Sequence, residues 1–138
     1  VSYFIKRDPR NILVSWLKAV GEDVTEDNFI AKFQKLDFNY KKKDMTFIEA
    51  LAEYEGWLTD QNTTVISYED LIKNDLSLKG LAQNIGKTYT NEFNNLPGET
   101  ITWTGTERAD YTPIWTQKVL DIWNAEGGQE LLTRWGYV

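Results

Sequence analysis

Hydrophobic positions in this chain switch from strand to helix spacing at two places, and each switch falls at a polar junction. Tyr3-Phe4-Ile5-Lys6 is a short run of strand formers, after which Ile12, Leu13, Trp16, Leu17 and Val20 recur at helical intervals. Asp8 is a good N-cap acceptor. Pro9 suits the first helical position, where a missing N–H costs nothing and φ is already set, so a βα turn is predicted within a residue of Arg7. The second switch follows Thr63-Thr64-Val65-Ile66-Ser67, a β-branched run that leads directly into a helix opened by Tyr68-Glu69-Asp70-Leu71. Two βα junctions separated by helical patterns predict parallel strands of one sheet, with helices between and after them.

The intervening pattern is helical. Gly21-Glu22-Asp23 closes the first helix and Thr25 caps a second, with Phe29, Ile30, Phe33 and Leu36 on its inner face. Thr46 and Glu49 form a capping box for a third helix, in which Phe47, Leu51, Tyr54 and Leu58 repeat at heptad-like spacing. Phe33, Tyr54 and Trp57 fit either a packed core, which helical spacing favours, or an aromatic acceptor pocket. The basic run at residues 41–43 is read as a solvated loop patch. Leu78, Leu81, Ala82 and Ile85 predict another helix, capped by Ser77 and stopped by Gly86, and residues 87–102 predict a long polar loop around Pro97-Gly98. Thr112 and Pro113 are expected to cap a late helix with Trp115, Val119, Ile122 and Trp123 in the core, and the chain closes on Leu131-Leu132-Thr133-Arg134-Trp135-Gly136-Tyr137.

Composition narrows the chemistry. The 138 residues are 41% hydrophobic and 14% aromatic, enough to bury a core, and no repeat or linker divides residues 1–138 into more than one domain. The net charge of −6 gives no electrostatic footprint for nucleic acid or an anionic membrane, and neither is expected as a partner. Without cysteine or histidine there is no disulfide, thiol nucleophile, imidazole base, or Cys or His metal ligand, which leaves carboxylate, Lys or Tyr for acid–base work and no expected metal. No apolar run approaches a bilayer span, so a soluble protein is expected, with a cytoplasmic location favoured.

Chemistry concentrates at the first junction. Arg7 sits at the carboxyl end of a strand beside the positive end of a helix dipole, where open α/β sheets bind anions. Ser15 shares a helix face with Asn11, apart from the apolar stripe. A basic fork and a hydroxyl on one side of a βα unit suit a single phosphate. The same pattern also describes an ordinary capped βα unit with Arg7 paired to a carboxylate.

The run Lys6-Arg7-Asp8-Pro9-Arg10-Asn11-Ile12-Leu13-Val14-Ser15-Trp16 resembles the 3′-phosphate signature of sulfotransferases that use 3′-phosphoadenosine 5′-phosphosulfate, with Arg7 and Ser15 at its phosphate-contacting positions. Tyr68-Glu69-Asp70-Leu71 after an apolar strand resembles the segment whose Tyr lies at the adenine; a half-buried structural Tyr fits it equally. Arg108 and Trp115 keep the seven-residue spacing of a third, loop-borne phosphate motif, but Asp110 and Pro113 stand where that motif has glycines. Arg108 is therefore either an assisting contact or a surface Arg paired to Glu107 or Asp110. The closing Gly136-Tyr137 is similar to the family's C-terminal end.

The resemblance implies an α/β domain with a parallel sheet flanked by helices, of the P-loop nucleotide-kinase-like sulfotransferase fold. It implies sulfuryl transfer from 3′-phosphoadenosine 5′-phosphosulfate to a hydroxyl or amine of a small-molecule or carbohydrate acceptor. The cofactor contacts implied are Arg7, Ser15, Tyr68 and Arg108, with no catalytic residue assigned. The family's P-loop-like segment, whose lysine serves the leaving group, finds no glycine-rich counterpart here. The first strand begins at once and without Met, so this chain is expected to be the C-terminal part of a sheet that is incomplete at its N-terminus. The alternatives are a noncatalytic adenine-nucleotide-binding or interaction module, and a kinase-like phosphoryl transferase, which would need Mg²⁺ carboxylates beside a Walker loop.

Overall fold

In the computed structural model β1 (Ser2–Lys6) runs into α1 (Pro9–Ala19) through Arg7 and Asp8 alone. The structure describes residues 2–38, 43–73, 80, 82–83, 85–88 and 108–138. The expected helix at Leu78, Leu81, Ala82 and Ile85 with its Ser77 cap, most of the 87–102 loop, Lys41, Lys42 and Glu107 lie wholly or largely outside the described residues.

β4 (Thr63–Ser67) pairs with β1 in parallel, from Ser2 opposite Thr63 to Lys6 opposite Ser67, as the two βα junctions require. α5 (Tyr68–Lys73) leaves β4 without an intervening residue. Asp8 caps α1 by accepting the Arg10 N–H, Thr25 caps α2 (Glu26–Gln34) at Asn28, and Thr46 caps α3 (Phe47–Ala52) at Glu49. The molecule is thus a small α/β unit whose described parallel sheet has two strands. Among the described residues no helix is long and apolar enough to cross a membrane.

The core lies among the helices. α1 packs on α2, α2 on α3 and on α6 (Gln117–Ala125), α6 on α7 (Gly128–Trp135), and α7 returns to α1. Leu13, Val14, Leu17, Trp123 and Leu131 are completely buried. Trp123 is the centre of an aromatic cluster, stacked on Phe33 at 4.7 Å and edge-on to Trp115 at 5.4 Å, with Phe29 at 6.1 Å. Its indole lies so close to Gly128 that a Cβ there would meet the ring at 2.3 Å, so only glycine lets α6 and α7 approach. On the sheet, Phe4 meets Trp135 edge-on at 6.0 Å.

Four expectations need correction. α2 ends at Gln34, and Leu36 starts a short strand β2 (Leu36–Phe38) paired antiparallel with β3 (Lys43–Met45) instead of extending the helix face. Lys43 therefore belongs to a strand and not to a loop. Leu36 and Met45, opposite each other and both buried, close that hairpin against the core. The third helix breaks after Ala52 and resumes as α4 (Gly56–Thr59), through i to i−3 hydrogen bonds that interrupt the heptad-like face. Phe33 is core, but Tyr54 and Trp57 are left half exposed, at 50% and 47%. The break is held by Glu55, whose Oε1 accepts from Arg134 Nε and Trp135 Nε1, both at 3.1 Å. Finally, Thr112 and Pro113 open a 3-10 turn (Thr112–Ile114), and the cap of α6 is Thr116.

Candidate functional site

The carboxyl ends of β1 and β4 finish level, at Lys6 opposite Ser67, so the next residues, Arg7 and Tyr68, emerge side by side. The Arg7 guanidinium carbon lies 4.3 Å from the centroid of the Tyr68 ring. A cation over an aromatic face at this distance contributes about 0.5–1 kcal/mol when exposed, more when desolvated. Where a guanidinium lies flat on a ring, its in-plane N–H fork stays open to an anion. Among the described residues Arg7 makes no ion pair, so the paired-Arg reading of the sequence does not describe it.

The backbone at the start of α1 is closed to ligands. The Asp8 N–H donates to Glu69 Oε1 at 2.8 Å, Pro9 has no N–H, Arg10 N–H donates to Asp8 Oδ1 at 2.9 Å, and the N–H groups of Asn11 and Ile12 donate to the Asp8 carbonyl at 3.0 Å. All the donors a helix N-terminus ordinarily offers an anion are satisfied internally. An anion placed at this edge would have to be met by side chains.

Those side chains are ordered by a dense set of contacts. Asp8 holds Arg10 through two hydrogen bonds, Nε to Oδ1 at 3.0 Å and Nη2 to Oδ2 at 2.7 Å, while the Arg10 guanidinium stacks on Tyr111 at 4.1 Å and near Trp115 at 5.6 Å. Asn11 Oδ1 accepts the Tyr111 N–H at 2.9 Å. The segment carrying Arg108 is thereby tied to the first turn of α1. Arg108 itself is exposed, and the Asp110 carboxylate is turned to the N–H and hydroxyl of Thr112. Those two hydrogen bonds lower the Asp110 pKa. Ser15 is part-buried in α1, six residues beyond Pro9 and hence about 9 Å along the axis; it makes no hydrogen bond to Arg7. Of the four candidates the structure brings Arg7 and Tyr68 into contact, places Ser15 in the second turn of α1, and leaves Arg108 on an adjoining segment.

Glu69 is the residue the sequence did not single out. Besides the Asp8 N–H, its carboxylate accepts the Tyr137 hydroxyl at 2.7 Å and the Ser67 hydroxyl at 3.2 Å. Burial by itself would raise its pKa, but the hydrogen bonds from the Asp8 N–H, the Tyr137 hydroxyl, its own N–H and Ser67 outweigh that and lower it, so it is ionised at neutral pH. The Tyr137 pKa is pushed up, by burial first and then by the Glu69 carboxylate beside it. Lys6 completes the arrangement, donating to the Trp135 carbonyl at 2.8 Å and lying 5.1 Å from the Tyr137 ring centre. An acid in the first turn of a helix reads in sequence as dipole compensation, and nothing local marks it as a link to residues 61 and 68 positions away.

No protein-family model, curated protein or solved structure matches the chain. The functional reading rests on the geometry of this edge. Among the described residues no three acidic, His or Cys side chains gather to hold a metal. A cavity of about 330 Å³ lined by Phe33, Gln34, Thr46, Ile48 and Glu126 includes none of the four candidates.

Proposed function

We propose that this chain is the nucleotide-binding part of a sulfotransferase-like protein of the P-loop nucleotide-kinase-like fold, which takes 3′-phosphoadenosine 5′-phosphosulfate as sulfuryl donor. The observation that carries the reading is the Arg7–Tyr68 stack at the level carboxyl ends of two parallel strands. A guanidinium that makes no ion pair among the described residues, with an aromatic ring beside it, matches a phosphate and an adenine held close together. In this reading Arg7 and Ser15 hold the 3′-phosphate, Tyr68 lies at the adenine, and Arg108 assists. Because the amides of the first turn are taken, the phosphate lies along the flank of α1 toward Ser15 and is bound by side chains. The donor supplies the activated sulfuryl group; these residues bind and orient, and the acceptor is a small molecule or carbohydrate with a hydroxyl or amine.

The same Arg7–Tyr68 contact would also serve a noncatalytic adenine-nucleotide-binding module, which is the second reading. Both readings share a binding test. Adenosine 3′,5′-bisphosphate is expected to bind distinctly better than adenosine 5′-monophosphate in a calorimetric titration. Arg7→Ala is expected to weaken the bisphosphate about 10- to 150-fold and the monophosphate little. Equal losses for both nucleotides, or no preference in the wild type, remove the phosphate role. Transfer of labelled sulfuryl to acceptor by the protein distinguishes the enzyme from the module.

A further inference from the structure

We infer that Glu69 is the positioning residue of this site, a clasp that fixes Arg7 against Tyr68 by holding the peptide after one and the helical turn that begins with the other. Its carboxylate accepts the N–H of the Arg7–Asp8 peptide at 2.8 Å, and Glu69 itself follows Tyr68 directly in α5. One side chain thus spans the two βα junctions just beyond their last strand pair, Lys6 with Ser67. A single hydrogen bond would leave the carboxylate free to swing. Here the second oxygen is held from two further directions, by Ser67 at the end of β4 at 3.2 Å and by Tyr137 at 2.7 Å. Tyr137 is in turn placed by α7, whose last carbonyl-bearing turn receives Lys6 of β1. The closing helix therefore braces the clasp, and the sheet edge, both junctions and the C-terminal segment meet on one carboxylate.

The consequence for binding is geometric. An arginine has many rotamers, and a contact to phosphate is strongest when the fork is fixed beforehand. With the α1 amides occupied, Arg7 has no backbone help in setting the anion position, so the placement of its own backbone decides where the fork points. For its bearing on function the inference rests on the nucleotide reading; for its geometry it does not.

The test uses the full chain with Glu69→Ala, Glu69→Gln and Tyr137→Phe, read by the NMR shift of the Arg7 Nε–H and by titration with adenosine 3′,5′-bisphosphate. A guanidinium held over a ring is shielded by it, and Tyr68→Leu supplies the unshielded reference. Glu69→Ala is expected to move the Arg7 signal to that reference and to weaken the bisphosphate by about tenfold or more, as misplacement of a binding group does. Glu69→Gln keeps an oxygen for the Asp8 N–H and is expected to retain the shielded signal and to bind within about threefold of wild type, a change under 1 kcal/mol. Tyr137→Phe is expected to fall between the two and, because it removes only a hydroxyl, reports even where Glu69→Ala fails to fold. Wild-type shielding in both Glu69→Ala and Tyr137→Phe overturns the inference, and so does an equal loss in Glu69→Gln and Glu69→Ala. Loss of shielding in Glu69→Ala with no bisphosphate preference in the wild type upholds the clasp and overturns the nucleotide reading instead.

Discussion

The helical core and the carboxyl edge of the sheet are held together by different forces. Around Trp123 the contacts are with the rings of Phe29, Phe33 and Trp115, whose centres lie 4.7 to 6.1 Å from its own, beside the buried Leu131 of the same core. At the edge, Arg7, Arg10, Lys6, Asp8 and Glu69 are joined by cation–π contacts and charge-assisted hydrogen bonds, most of them part-buried. Close packing is insensitive to pH and unforgiving of volume. The polar edge is directional and depends on ionisation, and among the described residues its Arg7 guanidinium makes no ion pair. Stability is concentrated in the first region and candidate chemistry in the second.

The largest expected break in this contrast is at Trp123. Trp123→Ala is expected to destabilise the protein by about 3–5 kcal/mol in chemical denaturation, because it empties the centre of the aromatic cluster. Gly128→Ala acts from the other side of the same contact. Its methyl has no room beside the indole and is expected to cost about 1–3 kcal/mol through forced repacking. Neither change touches the edge, so bisphosphate affinity measured where each variant remains folded is expected to match wild type.

At the edge the order reverses. Arg7→Ala is expected to take the nucleotide affinity and to leave the melting temperature within a few degrees, since the residue contributes one cation–π contact to the fold. Acid separates the regions in a single sample. The folded Glu69 pKa lies below its ordinary value of 4.5, so the stability this group contributes is present above that value and is lost as pH falls through the lower folded value. Titration from pH 7 into that range is expected to release the Arg7 Nε–H signal before the near-ultraviolet circular dichroism of the Trp123 cluster is lost. Simultaneous loss would show that the edge and the core are one cooperative unit. The smallest expected effect is at Tyr54 and Trp57, whose changes to Ser are expected to stay within about 0.5 kcal/mol because their rings are half exposed.

The failure at Tyr54 and Trp57 shows what one-dimensional spacing omits. Heptad-like recurrence of Phe47, Leu51, Tyr54 and Leu58 requires one unbroken helix, and the chain breaks it where Glu55 is drawn to Arg134 and Trp135, 79 and 80 residues away. The β2–β3 hairpin escaped for a different reason: three residues per strand are too few for alternation to register, and the pairing of Leu36 with Met45 becomes favourable only when both meet the core. At the candidate site, Arg7 was legible because its neighbours Asp8 and Pro9 announce a helix start. Glu69 was not, since its role consists of partners distant in the chain.

What the sequence determined by itself is therefore local. Side-chain oxygens at Asp8, Thr25 and Thr46 cap helices one turn away, Pro9 fixes the first helical φ, and β-branched residues at 63–66 favour a strand, all through interactions spanning a few residues. The tertiary structure alone decided that β1 and β4 end level, which sets Arg7 over Tyr68, and that Glu69 meets Asp8, Ser67 and Tyr137 together. Register between strands about 60 residues apart follows from burying Phe4 against Trp135 and from the helices between them, a condition on the whole chain. Contacts of that range acquire their free energy only after the intervening segments have packed, so no local pattern encodes them.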